Sequence, residues 1–309
     1  YVKRQSLRLL RELNHWRSAR GLETSEDITV ELESESGETT SVTETIDARS
    51  PVYGTWPRSG SRTLEGNIGY LRISRMDGEA AKEIRDWMPK WRETDGLVVD
   101  VRDNGGGTRE ALLTLASYLF GQNDSPRVVN AAKYRLFPQF AEDHLVARFM
   151  HRAKSKHWNA AERNAIDLFA SHFQPAWTPP EDEFSEWHYL VLSPGSEDAF
   201  HYSKPVVVLT NAKCFSATDI FVAGMKELPH VTILGTATGG GSARTTSVRI
   251  AKDIRLQIGS MVSYQASGEL FDGVGVQPDV EVQPEPGYFL GASDETLAAA
   301  VRLIQRSAQ

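Results

Sequence analysis

The chain has 309 residues, of which 40% are apolar and 24% charged, and this composition excludes the disordered and fibrous classes. The net charge of −7 gives no indication of a basic surface that would bind nucleic acid, so we expect no nucleic acid partner. The single cysteine, Cys214, excludes an internal disulfide and a multi-cysteine metal site.

No apolar stretch approaches the ~20 residues that cross a bilayer, so we predict no transmembrane segment. The chain opens at Tyr1 without an initiator Met, and we expect it to be part of a longer polypeptide. For that reason the lack of a signal peptide is uninformative. An exported, periplasmic location and a cytoplasmic one both stay open.

Residues 1–50 predict a small α+β segment. Leucines at helical spacing among arginines predict a helix from Gln5 to Arg17. Alternating apolar and polar residues predict a strand at 28–33, and Thr39 to Ile46 return as a second strand. Residues 51–66 are rich in Pro, Gly, Ser and Arg and predict a linker.

Residues 67–309 predict an α/β core. Strands are expected at 68–73, 97–102, 205–210 and 231–234, with several short ones between 245 and 283; helices are expected at 78–94, 109–120 and 216–227, and a last one is capped by Ser293. This alternation implies a mostly parallel sheet, buried between helices. Residues 127–203 do not fit the pattern and predict an insertion or cap, with a helix at 158–173.

Three segments at strand ends contain residues suited to chemistry, because ligands bind there in open α/β sheets. The first is a glycine turn, Gly105 to Gly107, whose main-chain N–H groups could approach a ligand closely. A flexible connection is the alternative, and the Gly-Lys-Ser/Thr ending of a phosphate loop is missing. The third segment, which comes last along the chain, is a pair of turn-rich loops, 235–242 and 268–279. The second segment lies between the first and the third and is described next.

The second segment places Ser216 at the start of a helix that follows a buried strand. A serine there is often a plain N-cap. The same geometry suits a nucleophile, because the helix N-terminus and the Ala217 N–H stabilise developing negative charge. Cys214 is a rival nucleophile in the approach turn, although a lone cysteine is usually a packed apolar residue.

Taken in order, these motifs resemble the peptidase family of the C-terminal (tail-specific) processing proteases and the tricorn protease, whose core is like that of ClpP and crotonase. The resemblance runs from about residue 67 to 282, apart from the insertion. It rests on the motifs GYLRI at 69–73, VDVRDNGGG at 99–107, PVVVLTN at 205–211, FSATDIF at 215–221 and GVGVQPD at 273–279. More weakly, residues 1–50 resemble the end of a PDZ-like module.

By this resemblance, Ser216 is the nucleophile of a serine peptidase, with Ala217 and Gly106, or its neighbour Gly105, as oxyanion donors. The processing proteases use a base lysine in a Gly-Lys-Gly-like turn, where this chain has three glycines at 239–241. The lysine-less tricorn branch uses an upstream histidine and an acidic residue, a position that Asp272 occupies. None of the eight histidines is identifiable as that base, which we expect before Tyr1 unless catalysis has been lost.

The resemblance implies a peptide or protein substrate and no metal or organic cofactor. It leaves open whether the chain assembles into homo-oligomers. A non-catalytic module that binds ligands or peptides on the same scaffold is the alternative, since the interphotoreceptor retinoid-binding protein also resembles this family. An acyl-CoA enzyme of the crotonase class shares the core, but a serine at the helix start is superfluous to its chemistry.

Overall fold

The computed structural model describes residues 12–34, 36–46, 60–121, 123–136, 144–195, 200–289 and 292–307. The chain divides into two compact units, Tyr1–Gly54 and Thr55–Gln309. No helix among these residues is long and apolar enough to span a membrane.

The smaller unit contains one helix and one hairpin. Helix α1 spans Leu13–Ala19, strand β1 spans Asp27–Glu33 and strand β2 spans Thr39–Thr45. The two strands pair antiparallel, with Val30 opposite Val42. The hairpin is as predicted, whereas the helix is described only from Leu13 and the predicted turns from Gln5 to Arg11 lie outside the described residues. None of the unit's described residues is fully buried.

The larger unit carries the remaining elements. Its strands are β3 (Arg62–Leu64), β4 (Ile68–Arg72), β5 (Gly96–Asp100), β6 (Arg127–Tyr134), β7 (His151–Arg152), β8 (His188–Leu192), β9 (Val206–Thr210), β10 (Val231–Gly235), β11 (Thr245–Ala251), β12 (Ile254–Gly259), β13 (Met261–Gln265) and β14 (Val280–Glu281). Its helices are α2 (Gly78–Trp87), α3 (Glu110–Leu119), α4 (Ala160–His172), α5 (Ala217–Lys226), α6 (Pro286–Phe289) and α7 (Glu295–Ser307). Short 3-10 turns lie at Met88–Trp91 and Val146–Arg148.

The main sheet has the strand order β14-β10-β9-β5-β4-β3, and all of its pairs are parallel except the edge pair β3–β4. Val99 and Val208 pack on one face with helices α3 and α5, and Val98 and Val207 pack on the other with helix α7. Burial on both faces explains the apolar runs in the central strands. The predicted mostly parallel sheet flanked by helices is confirmed.

A second sheet comes largely from the segment predicted as an insertion. Strands β13-β6-β8-β7 pair antiparallel, and the inner face of β6 and β8 joins the same core cluster as α3 and α5. Strand β13 lies in the region where short strands were predicted, but β6, β7 and β8 were not predicted; β6 contains two buried polar residues, Asn130 and Lys133. Asn130 Nδ2 donates to Ser263 Oγ and the Tyr264 carbonyl, and the Lys133 ammonium lies over the Trp187 ring. Long-range contacts therefore hold two polar side chains that make β6 hard to recognise as a strand from the sequence.

Three boundary predictions were wrong. Arg62–Leu64, which the sequence places in a linker, forms an edge strand on β4. The helix that starts at Gly78 ends at Trp87 and continues as a 3-10 turn, since Pro89 cannot donate to a further helical bond. The N-cap of α7 is Asp294 rather than Ser293, because the Asp294 carboxylate accepts from the Leu297 N–H.

A buried ionic network anchors the end of β5, directly before the glycine turn. Arg102 donates to both carboxylate oxygens of Asp100 and, through two nitrogens, to Asp294. Tyr70 Oη also donates to Asp100, at 2.7 Å. Burial alone raises the pKa of Asp100, but Arg102, Arg72 and the Tyr70 hydroxyl outweigh it and hold that pKa below its usual value.

We predict that Arg102→Ala lowers the free energy of unfolding by about 3–5 kcal/mol, because the buried Asp100 carboxylate loses its main partner and keeps only Arg72, at 3.5 Å, and the Tyr70 hydroxyl. Lys82→Ala breaks an exposed helical pair with Asp86 and is the control, with a cost below about 1 kcal/mol. Urea unfolding at neutral pH measures both. Since the pKa of Asp100 is lowered in the folded state, its stabilisation is present at neutral pH and disappears as the pH falls through that lowered pKa. Equal costs for the two variants would contradict the network's role.

Candidate active site

Ser216 occupies a strained turn between β9 and α5. It is the N-cap of α5, with φ 61° and ψ −120°, yet its side chain caps no helical N–H. A positive φ is unusual for a residue with a Cβ and costs roughly 1–3 kcal/mol, which the surrounding structure must offset. The side chain is half-buried, and the described residues offer its hydroxyl no hydrogen-bond partner. Ser216 is therefore held in this conformation for a reason other than helix capping.

The glycine turn after β5 lies directly against Ser216. A methyl group at Gly106, where φ is +106°, would lie 2.7 Å from Ser216 Cβ and 3.0 Å from the Ala217 nitrogen. Only glycine allows so close an approach. Two contacts fix the turns to one another: the Phe215 N–H donates to the Asn104 carbonyl, and Asn211 Nδ2 donates to the Asp103 carboxylate.

The main-chain N–H groups near Ser216 differ in their availability. The Gly106 N–H donates to Asn104 Oδ1 at 2.9 Å, and Gly105 is exposed with open space around its Cα. Gly107 and Ala217 line the same cavity as Ser216, and within the described part of the chain neither N–H has an acceptor. Within the predicted glycine turn, Gly107 rather than Gly106 thus lines the cavity with an N–H that has no acceptor among the described residues.

Asp219 ties the serine turn to the glycine-rich loop after β10. Its fully buried carboxylate accepts from Thr238 Oγ1, from the Gly240 and Gly241 N–H groups, and from the Ser216 N–H. Burial raises the pKa of Asp219, and these hydrogen bonds oppose the rise. Sequence reasoning missed this residue, although the Ser-x-x-Asp spacing of a capping box is a signal for it.

Asp272 has a comparable role on the other side of the loop. Its carboxylate accepts from the Ser242 and Ala243 N–H groups, both at 3.0 Å, and lies 3.4 Å from Ser242 Oγ. Burial raises the pKa of the Asp272 carboxyl against these hydrogen bonds. Ser242 lines the cavity with Ser216, so Asp272 shapes the cavity wall through Ser242.

Close packing explains why residues 239–241 are glycines. A side chain at Gly241 would overlap the Phe215 ring, and Phe215 directly precedes the serine. At Gly240, the middle position where a Gly-Lys-Gly-like turn has its lysine, an added Cβ would lie 2.5 Å from the Gly275 nitrogen and 2.7 Å from the Phe271 carbonyl oxygen. The rival nucleophile, Cys214, is fully buried, its thiol donates to the Val101 carbonyl, and burial raises its pKa to about 12. Such a thiol is inert.

The cavity beside Ser216 has a volume of about 110 Å³. Its described lining consists of Gly107, Thr108, Arg109, Ala147, Arg148, Ser216, Ala217, Ile220 and Ser242. The lining thus combines a hydroxyl, two main-chain donors and two guanidinium groups. The part of the lining that the structure describes contains no histidine and no lysine.

Comparison with known proteins identifies the family. The family model described as peptidase family S41 matches residues 67–282, which is more than half of the chain. The chain belongs to peptidase family S41. The matched segment contains the glycine turn, the serine turn and Asp272.

Curated relatives of this S41 chain are distant and longer. An uncharacterised protein of Chlamydia muridarum is 24% identical over 254 residues, which cover 70% of this chain and 41% of the relative. A carboxy-terminal-processing protease of Bartonella bacilliformis is 30% identical over 89 residues, 28% of this chain and 20% of the relative. The chain therefore spans less than half the length of the curated relatives it matches.

Solved structures share the fold of the S41 chain. A Parabacteroides merdae protein described as a peptidase has a TM-score of 0.56 at 22% identity, covering 81% of this chain and 67% of that one. Mature CPAF has a TM-score of 0.55 at 18% identity, covering 94% and 69%. At these identities the likeness concerns the fold.

The histidines of the S41 chain's described residues make their contacts outside the cavity lining. None of the eight is among the described residues that line the cavity. His151 and His157 stack on one another at 3.8 Å, and His188 is buried with Nδ1 bonded to the Glu186 carbonyl.

We predict that Asp219→Ala lowers the free energy of unfolding by roughly 3–5 kcal/mol, because several buried donors lose their acceptor. Asp219→Asn keeps one acceptor oxygen and costs less. Asp253→Ala, in the exposed turn between β11 and β12, is the matched control and changes stability by less than about 0.5 kcal/mol. Guanidinium unfolding gives the three values. An Asp219→Ala protein as stable as the control would show that the carboxylate does not hold the turns.

Proposed function

We propose that this S41 chain is the catalytic unit of a serine peptidase, with Ser216 as its nucleophile. The observation that carries the proposal is the contact between the glycine turn and the strained serine turn. This contact brings a hydroxyl and two N–H groups without acceptors to one cavity, as acyl transfer requires. A plain N-cap serine needs neither the positive φ nor the glycine turn.

In the proposed reaction Ser216 Oγ adds to the carbonyl carbon of a peptide bond, and the N–H groups of Gly107 and Ala217 stabilise the oxyanion. The amine then leaves with a proton, and water hydrolyses the acyl ester. The positive end of α5 favours the same negative charge. Asp219 and Asp272 act as positioning residues, since each holds a turn that lines the cavity.

The proposed reaction also requires a base that takes the proton from Ser216 Oγ. Following the resemblance to the lysine-less branch, we assign it to a histidine outside the described cavity lining. Without such a base the hydroxyl stays protonated and reacts slowly. The lack of a base in the described lining is also the observation that favours the second candidate, a peptide-binding module without turnover.

We predict that a fluorophosphonate probe labels the folded chain at Ser216, because the oxyanion donors stabilise the phosphonyl adduct. Labelling disappears in Ser216→Ala and persists in Ser242→Ala, which removes another serine hydroxyl of the cavity. Mass spectrometry of the digested adduct locates the site. If the base is not supplied by this chain, millimolar imidazole accelerates labelling.

Two results separate the candidates. Labelling at Ser216 that requires the native fold, together with cleavage of an unstructured peptide, supports the peptidase. A folded chain that binds peptides but is never labelled, with or without imidazole, would replace the peptidase by the binding module.

A further inference from the structure

Two arginines that the peptidase chemistry does not use line the cavity beside Ser216. Arg109 lies just before helix α3, and Arg148 ends the 3-10 turn at Val146–Arg148. The two come from segments 39 residues apart, and the Arg109 guanidinium donates to the Arg148 carbonyl at 3.3 Å. Arg148 in turn lies 3.5 Å from the Ser242 carbonyl and 3.2 Å from Met261 Sδ.

Neither guanidinium has a carboxylate partner among the described residues. Arg109 is only 4% exposed, and burial together with the charge of Arg148 lowers its pKa to about 9, so that it stays protonated at neutral pH. Burial and the charge of Arg244 also lower the pKa of Arg148. A buried, unpaired charge destabilises a fold, and an anion in the cavity would relieve that cost.

The cavity suits a small anionic group. Its volume of about 110 Å³ has room for a short polar side chain. A guanidinium is the preferred partner of a carboxylate, with which it forms two parallel hydrogen bonds. The N-terminus of α5, at Ala217, adds positive potential on the same side.

Resting on the proposed peptidase function, we infer that the cavity binds a carboxylate of the substrate next to the scissile bond, held by Arg109 and Arg148. The carboxylate belongs to an acidic side chain or to the substrate's C-terminus, which are chemically equivalent here. The charge would select acidic peptides over neutral ones. It would also fix the register of the peptide on Ser216.

Binding can be measured without turnover, on the Ser216→Ala chain by calorimetry. N-acetyl-glutamic acid α-amide against N-acetyl-glutamine α-amide tests the side-chain carboxylate, and N-acetyl-alanine against N-acetyl-alaninamide tests the terminal one. We expect at least one acid to bind about ten- to a hundredfold more tightly than its amide, as for a charge-assisted hydrogen bond. The pair that shows the difference identifies the source of the carboxylate.

Arg109→Met removes the charge and keeps most of the side-chain volume. It is expected to abolish the preference for the acid while leaving the melting temperature unchanged or higher, since a buried unpaired charge is lost. Arg85→Met, on the exposed face of α2, makes the same change in net charge and should keep the preference. Equal affinities for acid and amide in the Ser216→Ala chain, or a preference that survives in a folded Arg109→Met chain, would overturn the inference. Fluorophosphonate labelling tests Ser216 independently, so failure of one proposal is distinguishable from failure of the other.

Discussion

The approach of one backbone turn to another governs the architecture around Ser216. The glycine turn after β5 and the serine turn after β9 lie so close that Gly106 cannot carry a side chain. β5 and β9 are adjacent parallel strands, so their carboxyl ends meet at one edge of the sheet. The sheet brings the turns together, and Asp219, Asp272 and the Asp100–Arg102–Asp294 network then fix them in place.

The side chains that stabilise the turns are different from those that line the cavity. The carboxylates of Asp100 and Asp219 are buried and that of Asp272 is half-buried, and each accepts several hydrogen bonds from its neighbours. The arginines of the cavity, by contrast, bond to carbonyl oxygens but to no carboxylate among the described residues, and the hydroxyl of Ser216 has no hydrogen-bond partner there. Polar groups without partners are costly in a folded protein, and they are usually found where a ligand completes them.

The sequence predicts those parts of the fold that local patterns determine. The apolar runs of β5 and β9 indicate strands buried on both faces, and the glycine turn and Ser216 follow directly from them. Strand β6 of the second sheet could not be predicted, since Asn130 and Lys133 interrupt its apolar pattern and make their contacts with residues more than 50 positions away. Likewise, no local pattern indicates that Arg109 and Arg148 share a cavity. The sequence suggests Gly106 as a donor, whereas we propose Gly107. The reason is a single side-chain contact that no local pattern indicates: the Gly106 N–H already donates to Asn104 Oδ1.

The central claim is that Ser216 Oγ and the N–H groups of Gly107 and Ala217 converge on one reacting carbonyl. A crystal structure of the chain with a peptide boronic acid tests it most directly. The account predicts a bond from Ser216 Oγ to boron, with one boronate oxygen about 3 Å from both nitrogens. A boronate bound elsewhere, or a Ser216 side chain directed into the protein interior, would contradict it.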